Sequence, residues 1–295
     1  MRTINLANQE NTDIQYKISK FPDGQQTIDI ETPRNFLQGA DVKMVARIRT
    51  FRDLELIIAA NQALRELAVS TVSLYVPYFM GARSDRKFRE GGVNYLKHVI
   101  CPVINSQKFN TVLVLDPHSD VLEACLDTYD KVSNFTVVKN ALADIDNHNG
   151  AQDRICLVSP DGGALKKIYD VAEEFYLPNI VTAIKHRDIM TGKITRTEVP
   201  NLPISIGNER MKFVIVDDIC DGGRTFIELA KAIKEQREEA EIYLIVTHGI
   251  FSSGLSELSN WFEKVYTTNS HHDETETFRP DDVEDTNFLT QFNVI

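Results

Sequence analysis

The chain has 295 residues, 42% of them hydrophobic and 25% charged, and a formal net charge of −11. That length gives one large or two ordinary domains with ample core, and the acidic balance argues against a nucleic-acid backbone as partner. No apolar run reaches the length of a membrane span and Met1-Arg2-Thr3-Ile4-Asn5-Leu6 lacks the apolar core of a signal peptide, so no membrane partner is expected.

Cys101, Cys125, Cys156 and Cys220 share no C-x-x-C spacing. Neither a zinc site nor a disulfide framework is indicated, and the four read as buried thiols of a reducing cytoplasm.

In chain order, Lys20-Phe21-Pro22-Asp23-Gly24-Gln25-Gln26 is a turn signal ahead of a strand at Thr27-Ile28-Asp29-Ile30, and by itself it says only hairpin. Apolar strand-like runs then recur at residues 43–47, 72–77, 111–116, 155–159, 180–185, 213–217 and 242–247. Helical patterns lie between most of them; in residues 53–67, Leu54, Ile57, Ile58 and Leu64 make an apolar face. Strands alternating with helices predict an α/β fold, a parallel sheet with helices on both faces. The polar run Asp144-Ile145-Asp146-Asn147-His148-Asn149-Gly150 interrupts the alternation and reads as a linker, dividing the chain into domains 1–145 and 146–295. Each half has a strand ending in acid, Leu115-Asp116 and Val216-Asp217, so the two are expected to be alike. In such sheets ligands sit at the carboxyl ends of the strands, and the chemistry-bearing motifs fall there.

The first of these, Tyr78-Phe79-Met80-Gly81-Ala82-Arg83-Ser84-Asp85-Arg86-Lys87-Phe88-Arg89, packs four cations into seven residues. A charge run is usually a solvated face; at a strand end with a glycine turn it suits a polyphosphate. Leu115-Asp116-Pro117-His118-Ser119 sets a carboxylate and an imidazole at another strand end, able to share a divalent metal or bracket a phosphate, although a lone His is more often structural. Ser159-Pro160-Asp161-Gly162-Gly163 repeats the pattern of strand, acid and glycines before a helix. Ile184-Lys185-His186-Arg187-Asp188 leaves a strand for a polar segment running past Gly192-Lys193, where long cations on a mobile loop suit closure over phosphates. His271-His272-Asp273-Glu274 looks metal-like but lies in a polar acidic tail and reads as solvated.

The richest stretch is Phe213-Val214-Ile215-Val216-Asp217-Asp218-Ile219-Cys220-Asp221-Gly222-Gly223-Arg224-Thr225-Phe226. A buried strand, a glycine turn and a helix start make an anion site, because free backbone N–H groups and the helix dipole favour negative charge. No Walker A sequence is present. Two carboxylates beside a phosphate cradle would repel the phosphate, so they must face ribose hydroxyls or a metal on them. Thr225 adds a hydroxyl donor. The bland alternative is an αβ turn with Asp caps. The stretch resembles the phosphoribosyl-diphosphate motif of type I phosphoribosyltransferases and their relatives.

Taken together and in this order, the motifs resemble those of the ribose-phosphate diphosphokinase (phosphoribosyl-diphosphate synthetase) family, over about residues 21–269. Residues 21–25 match Phe-x-Asp-Gly-Glu, and the run ending Arg83-Ser84-Asp85-Arg86 is similar to Tyr-x-Arg-Gln-Asp-Arg. Asp116-Pro117-His118 matches Asp-Leu-His, residues 159–163 match Ser-Pro-Asp-x-Gly, and Lys185 with Arg187 match the Lys-x-Arg of a catalytic loop. Residues 217–225 match Asp-Asp-x-x-Asp-Thr-Gly-Gly-Thr, and residues 247–252 look like Thr-His-x-x-Phe-Ser.

The resemblance implies two similar phosphoribosyltransferase-like domains, each a mainly parallel sheet flanked by helices, the first for ATP and the second for ribose phosphate. It implies Mg²⁺-dependent transfer of the β,γ-diphosphate of ATP to the C1 hydroxyl of ribose 5-phosphate, with release of AMP. Phe21, Asp23 and Gln25 would form the adenine pocket from a neighbouring subunit of a homo-oligomer. Arg83, Ser84, Asp85, Arg86 and His118 would complete the ATP site, and Asp116, His118 and Asp161 would hold the metal. Lys185, Arg187 and His118 would be catalytic. Asp161, Asp217, Asp218, Asp221, Gly222, Gly223, Arg224 and Thr225 would bind the ribose phosphate.

The chain departs from the family pattern at Gln25, Ser84, Pro117 and, most of all, at Gly222 and Arg224, where a hydroxyl is lost and a guanidinium gained. Those last two changes suit an acceptor whose 5-substituent is a diphosphate, so the same chemistry on ADP-ribose, with a product that could feed NAD synthesis, stands as an alternative. A type I phosphoribosyltransferase and an inactive regulatory homologue are the further alternatives.

Overall fold

The structure is a computed structural model and describes residues 1–146, 152–187, 194–200, 202–203, 211–273 and 288–295, the side chains of 152, 185–187 and 194–196 excepted. Among the described residues the chain forms two compact units, Met1–Ser133 with Val294–Ile295, and Asn134–Asn293.

In the first unit β1 (Arg2–Asn5) is followed by β2 (Tyr16–Lys20), β3 (Gln26–Ile30), α1 (Arg34–Leu37), β4 (Asp41–Val45), α2 (Phe51–Glu66) and β5 (Thr71–Val76). Then come α3 (Cys101–Ser106), β6 (Val112–Leu115), α4 (Val121–Cys125) and β7 (Tyr129–Val132). The sheet order is β1-β4-β5-β6-β7, every pair parallel, and β2 with β3 forms a separate antiparallel hairpin. Side chains alternate between faces with the period of a strand. Met44, Leu74, Val76, Val112 and Val114 join one core with Leu54, Ile57 and Leu64 of α2. Val45, Tyr75 and Leu115 join another with Val294 and Ile295. The helix α2 opens on a capping box between Thr50 and Asp53. Ile58, expected on its apolar face, is 37% exposed. The helical period carries Leu54, Ile57, Asn61 and Leu64 inward instead, and buried Asn61 donates from Nδ2 to Gln107 O at 2.9 Å.

The second unit begins with α5 (Phe135–Ile145), β8 (Ile155–Ser159), α6 (Leu165–Glu174), β9 (Asn179–Thr182), β10 (Ile184–Arg187) and β11 (Ile194–Glu198). It continues with β12 (Lys212–Cys220), α7 (Arg224–Gln236), β13 (Glu241–Gly249), α8 (Ser256–Ser259), β14 (Lys264–Thr268) and β15 (Leu289–Phe292). The order is β15-β14-β13-β12-β8-β9, again all parallel, beside an antiparallel β10–β11 hairpin. The central strand is buried on both faces, which is why it reads as a continuous apolar run. Phe213 and Ile215 pack with Phe226, Ala230 and Ile233 of α7. Val214 and Val216 pack with Val137, Val138 and Ala141 of α5 and Ile168 and Val171 of α6. Each unit is thus a parallel sheet plus one antiparallel hairpin, the α/β repeat expected from the sequence.

Three local expectations are revised. The division between units falls ahead of α5 rather than behind it, because α5 buries its apolar face in the second unit's core. Asp144, read as linker, sits in the last turn of α5 and bonds Lys264 Nζ at 2.7 Å and Tyr266 Oη at 2.9 Å. Residues 147–150 of that run lie outside the described residues. The run 180–185 is broken into β9 and β10, which belong to different sheets. No helix among the described residues is long and apolar enough to cross a membrane.

Candidate functional site

In the first unit the expected residues lie in the β2–β3 turn and beyond the carboxyl ends of β5 and β6. The β2–β3 turn is closed by Phe21 N–H donating to Gln25 O and Gly24 N–H to Phe21 O, both at 2.9 Å, and by Gln25 N–H donating to Asp23 Oδ1 at 3.1 Å. Phe21, Asp23 and Gln25 therefore share one tight turn, and the Phe21 side chain is 52% exposed at its tip. After β5 the chain turns at Gly81, and Arg83 and Arg86 are exposed. After β6, Asp116 is buried in a left-handed conformation with φ 36°, and His118 is exposed. A non-glycine residue at such a φ is strained backbone of the kind that clusters at sites. Ser119 Oγ donates to Asp85 Oδ2 at 2.6 Å, so the cation loop and the Asp116-Pro117-His118 loop are joined directly.

Arg47 was not singled out from the sequence, because it sits inside the apolar run Val45-Ala46-Arg47-Ile48. It is buried just beyond β4. The neighbouring Ile48 bridges to Phe79, and Met80 N–H donates to Ile48 O at 2.8 Å, which places this buried guanidinium beside the start of the cation loop. A buried cation at the carboxyl edge of a parallel sheet was the available signal.

In the second unit, Asp217 and Asp218 both lie on β12, which runs on to Cys220. Asp218 is buried and its Oδ1 lies 3.7 Å from Lys167 Nζ of α6. Asp218 N–H donates to Asp217 Oδ1 at 2.9 Å. Burial, and then the neighbouring Asp218 charge, push the Asp217 carboxyl well above the usual carboxylate range. Lys167 was also missed from sequence, where it is one of two lysines opening an amphipathic helix.

Beyond β12, Gly223 is the N-cap of α7 with φ 76° and no side-chain cap hydrogen bond. The first amides of a helix have no intrahelical acceptor, so here the acceptor must come from elsewhere. Cys220, buried under the turn, has its thiol pushed up to about 12 by burial and by the Asp217 and Asp221 charges, and it is inert as a nucleophile. The segment after β13 runs alongside: Ile250 and Phe251 N–H donate to Cys220 O at 2.8 and 3.2 Å, and Ser252 N–H to Asp221 O at 3.2 Å. Ser252 Oγ donates to Asp221 Oδ1 at 2.6 Å. His248 of the same motif is buried and meets Ser270 Oγ through Nδ1 at 2.8 Å, a link between β13 and the end of β14.

Asp161 closes its own turn, its Oδ1 accepting from Gly163 and Ala164 N–H at 3.0 and 3.2 Å. Lys185 and Arg187 lie on strand β10, in register with Thr197 and Ile194 of β11; their side chains and residues 188–193 are outside the description. His271, His272 and Asp273, read as solvated, are half-buried, with the two imidazoles 4.1 Å apart edge to face. They are held there because β15 pairs with β14 and Gln291 Nε2 donates to His272 O at 3.0 Å. Glu274 is outside the description. Among the described residues no group of three or more His, Cys, Asp or Glu side chains is gathered as a metal site.

Comparison with known proteins adds the following. The phosphoribosyl transferase domain family matches residues 128–276. A ribose-phosphate pyrophosphokinase of Marinomonas sp. is 29% identical over 239 residues, covering 80% of this chain and 71% of that protein. One from Vibrio vulnificus is 28% identical over 238 residues, with the same coverage of 80% and 71%. The crystal structure of phosphoribosylpyrophosphate synthetase from Mycobacterium smegmatis superposes with a TM-score of 0.74 at 16% identity, covering 97% of this chain and 88% of that one. This last likeness is one of fold, and it extends over both units.

Proposed function

Because the chain belongs to the phosphoribosyl transferase domain family, whose match here accompanies curated relatives named ribose-phosphate pyrophosphokinase, we propose that it is an ATP-dependent ribose-phosphate diphosphokinase. The observation that carries the reading is the end of β12. Two adjacent carboxylates, one buried on Lys167 and one with its proton affinity raised, precede a helix N-terminus that no side chain caps. A vicinal diol and an anion held one turn apart, as in a 5-phosphorylated ribose, answer both features.

In this reading Asp217 and Asp218 accept from the 2- and 3-hydroxyls, while Gly222, Gly223, the Arg224 and Thr225 amides and the Thr225 hydroxyl take the 5-phosphate. Diol donors also ease the repulsion between the neighbouring carboxylates. Phe21, Asp23 and Gln25 hold the adenine, contributed by a second copy in a homo-oligomer. Arg83 and Arg86 neutralise the ATP phosphates, with Ser84, Asp85 and His118 completing that half. The C1 oxygen of the sugar bonds to the β-phosphorus as the bond from that phosphorus to the oxygen bridging the α-phosphorus breaks. AMP leaves with the bridging oxygen, and the proton of the C1 hydroxyl passes to solvent water. Lys185 and Arg187 stabilise charge on the moving diphosphate, the kind of positioning and neutralisation that phosphoryl chemistry requires.

Asp116, His118 and Asp161 are the residues that would hold Mg²⁺. Among the described residues no three-ligand protein cage is gathered, and carboxylate donors suit a hard cation that keeps its waters and arrives largely on substrate phosphates. Bound Mg²⁺ supplies charge neutralisation on the transferring group.

A second reading keeps the chemistry and changes the acceptor to ADP-ribose. It is favoured by Arg224, exposed at the first position of α7, and by exposed Gly222, which adds no side chain of its own to the turn. A diphosphate continuing outward would meet a guanidinium able to bind it bidentately.

The test is incubation with MgATP and ribose 5-phosphate, ADP-ribose or unphosphorylated ribose, following AMP. Release of AMP with a 5-phosphorylated sugar and not with ribose is expected. No AMP with either sugar phosphate overturns the assignment, and turnover of phosphoribosyl diphosphate with a free base would move the chain to the type I transferases.

A further inference from the structure

Gly222 is a glycine that its own backbone does not require. Among the described residues with left-handed φ are Gly223 at 76° and Phe251 at 47°, but not Gly222, so an L side chain is conformationally admissible there. Space is what limits it, because the nearest side chain would have to give by a few tenths of an ångström. A Cβ on Gly222 would stand 3.1 Å from Ser253 Oγ and 3.7 Å from Ser252 Oγ. Two hydroxyls from the segment after β13 therefore already occupy the rim of the turn where a side chain of residue 222 would project.

The segment that carries these hydroxyls is fixed in place. The segment is tied to the turn by the bonds from Ile250, Phe251 and Ser252 to Cys220 and Asp221, and is closed by Gly254 N–H on Phe251 O at 2.8 Å. Phe251 is buried, and a Cβ on Gly249 would come within 2.1 Å of its ring, so the ring lies directly against the glycine backbone. The two serines have different duties. Ser252 donates into the Asp221 carboxylate, partly offsetting negative charge that would otherwise face an anion. Ser253 is exposed, as are Gly222 and Arg224 of the turn.

Resting on the reading of this turn as the cradle for the sugar's 5-substituent, we propose that Ser253 is a binding residue of that cradle. It donates from the neighbouring segment the hydroxyl that the turn lacks at Gly222, so that Gly222 and Ser253 together set specificity for the anionic end of the acceptor.

The experiment measures calorimetric binding of ribose 5-phosphate and of ADP-ribose, together with KM for sugar and ATP from AMP release. It uses wild type, Ser253→Ala, Ser253→Thr, Gly222→Thr and the double variant Gly222→Thr/Ser253→Ala, with thermal unfolding checked for each. Loss of one hydrogen bond to a charged group should weaken the preferred sugar about fivefold or more in Ser253→Ala. KM for ATP should stay within twofold, and Ser253→Thr should restore binding. Gly222→Thr alone should weaken the sugar by crowding Ser253, and the double variant should recover affinity because the hydroxyl then comes from the turn itself. Sugar affinity unchanged within twofold in Ser253→Ala, or a double variant no better than Ser253→Ala, overturns the role of Ser253 while leaving the cradle standing. A folded wild type that binds neither sugar phosphate overturns the cradle reading and this inference with it.

Discussion

Ser119 Oγ donates a 2.6 Å hydrogen bond to Asp85 Oδ2, joining two motifs that the sequence keeps apart. Asp85 also lies 3.4 Å from Arg86 Nε, so the bond fixes the carboxylate that orients one of the expected ATP-binding cations. Ser119→Ala and Asp85→Asn should each raise KM for ATP about three- to tenfold, with sugar KM little changed. A double-mutant cycle should return a coupling of about 1–2 kcal/mol. Additive losses would mean that the two loops act independently.

Lys185 and Arg187 lie on β10, and the role proposed for them is chemical rather than structural. Lys185→Ala and Arg187→Ala should each lower kcat by about 10²–10³-fold, the loss seen when a charge-stabilising donor is removed. Thermal stability should be unaffected. Near-wild-type turnover in both would remove the β10 strand from the mechanism.

Asp217 is held above the ordinary carboxylate range by burial and by Asp218. A folded-state pKa raised above the unfolded value means that ionisation costs stability. The cost is absent below the unfolded pKa and accrues as pH rises through the folded one. Asp217→Asn, which can still accept from the Asp218 amide through its carbonyl oxygen, should therefore raise the melting temperature of the ligand-free protein at pH 7. The gain should shrink toward pH 4. The same variant should weaken the sugar more than ATP, since the carboxylate is proposed to meet ribose hydroxyls. A melting temperature lowered at pH 7 would contradict the assigned strain.

Gly249 ends β13 with no room for a side chain, because a Cβ would lie 2.1 Å from the Phe251 ring and 2.7 Å from Thr267 Oγ1. Gly249→Ala should destabilise by about 1–3 kcal/mol through overpacking. By shifting Phe251 it should also disturb the Ser252–Asp221 bond and raise sugar KM. Denaturant unfolding alongside kinetics separates the two effects, and a neutral substitution would show that the segment adjusts freely.

Arg224 separates the two acceptors. If ADP-ribose is preferred in kcat/KM, Arg224→Gly should lose that preference while keeping activity on ribose 5-phosphate. A tenfold or larger preference for ribose 5-phosphate in the wild type ends the case for the second reading.

Much of this architecture was legible in the residues. The apolar runs that became β4, β5, β6, β8, β12 and β13 were visible because central parallel strands are buried on both faces and so lack polar interruptions. The edge strands β7 and β15 are short, and β7 is partly exposed along its length, so neither length nor alternation marked them. The site motifs were legible for a related reason: acid, glycine and helix start are adjacent in sequence, and an anion cradle is a local structure. Tertiary packing alone decided the rest. It carried α5 into the second unit, placed Lys167 on Asp218, buried Arg47 beside the cation loop, and joined Ser119 to Asp85. It also brought Ser252 and Ser253 to the rim at Gly222, a contact made by pairing β12 with β13. No spacing in the sequence could announce that contact, because parallel strands pair across a helix and the residues that meet at their ends are set by the register of the sheet.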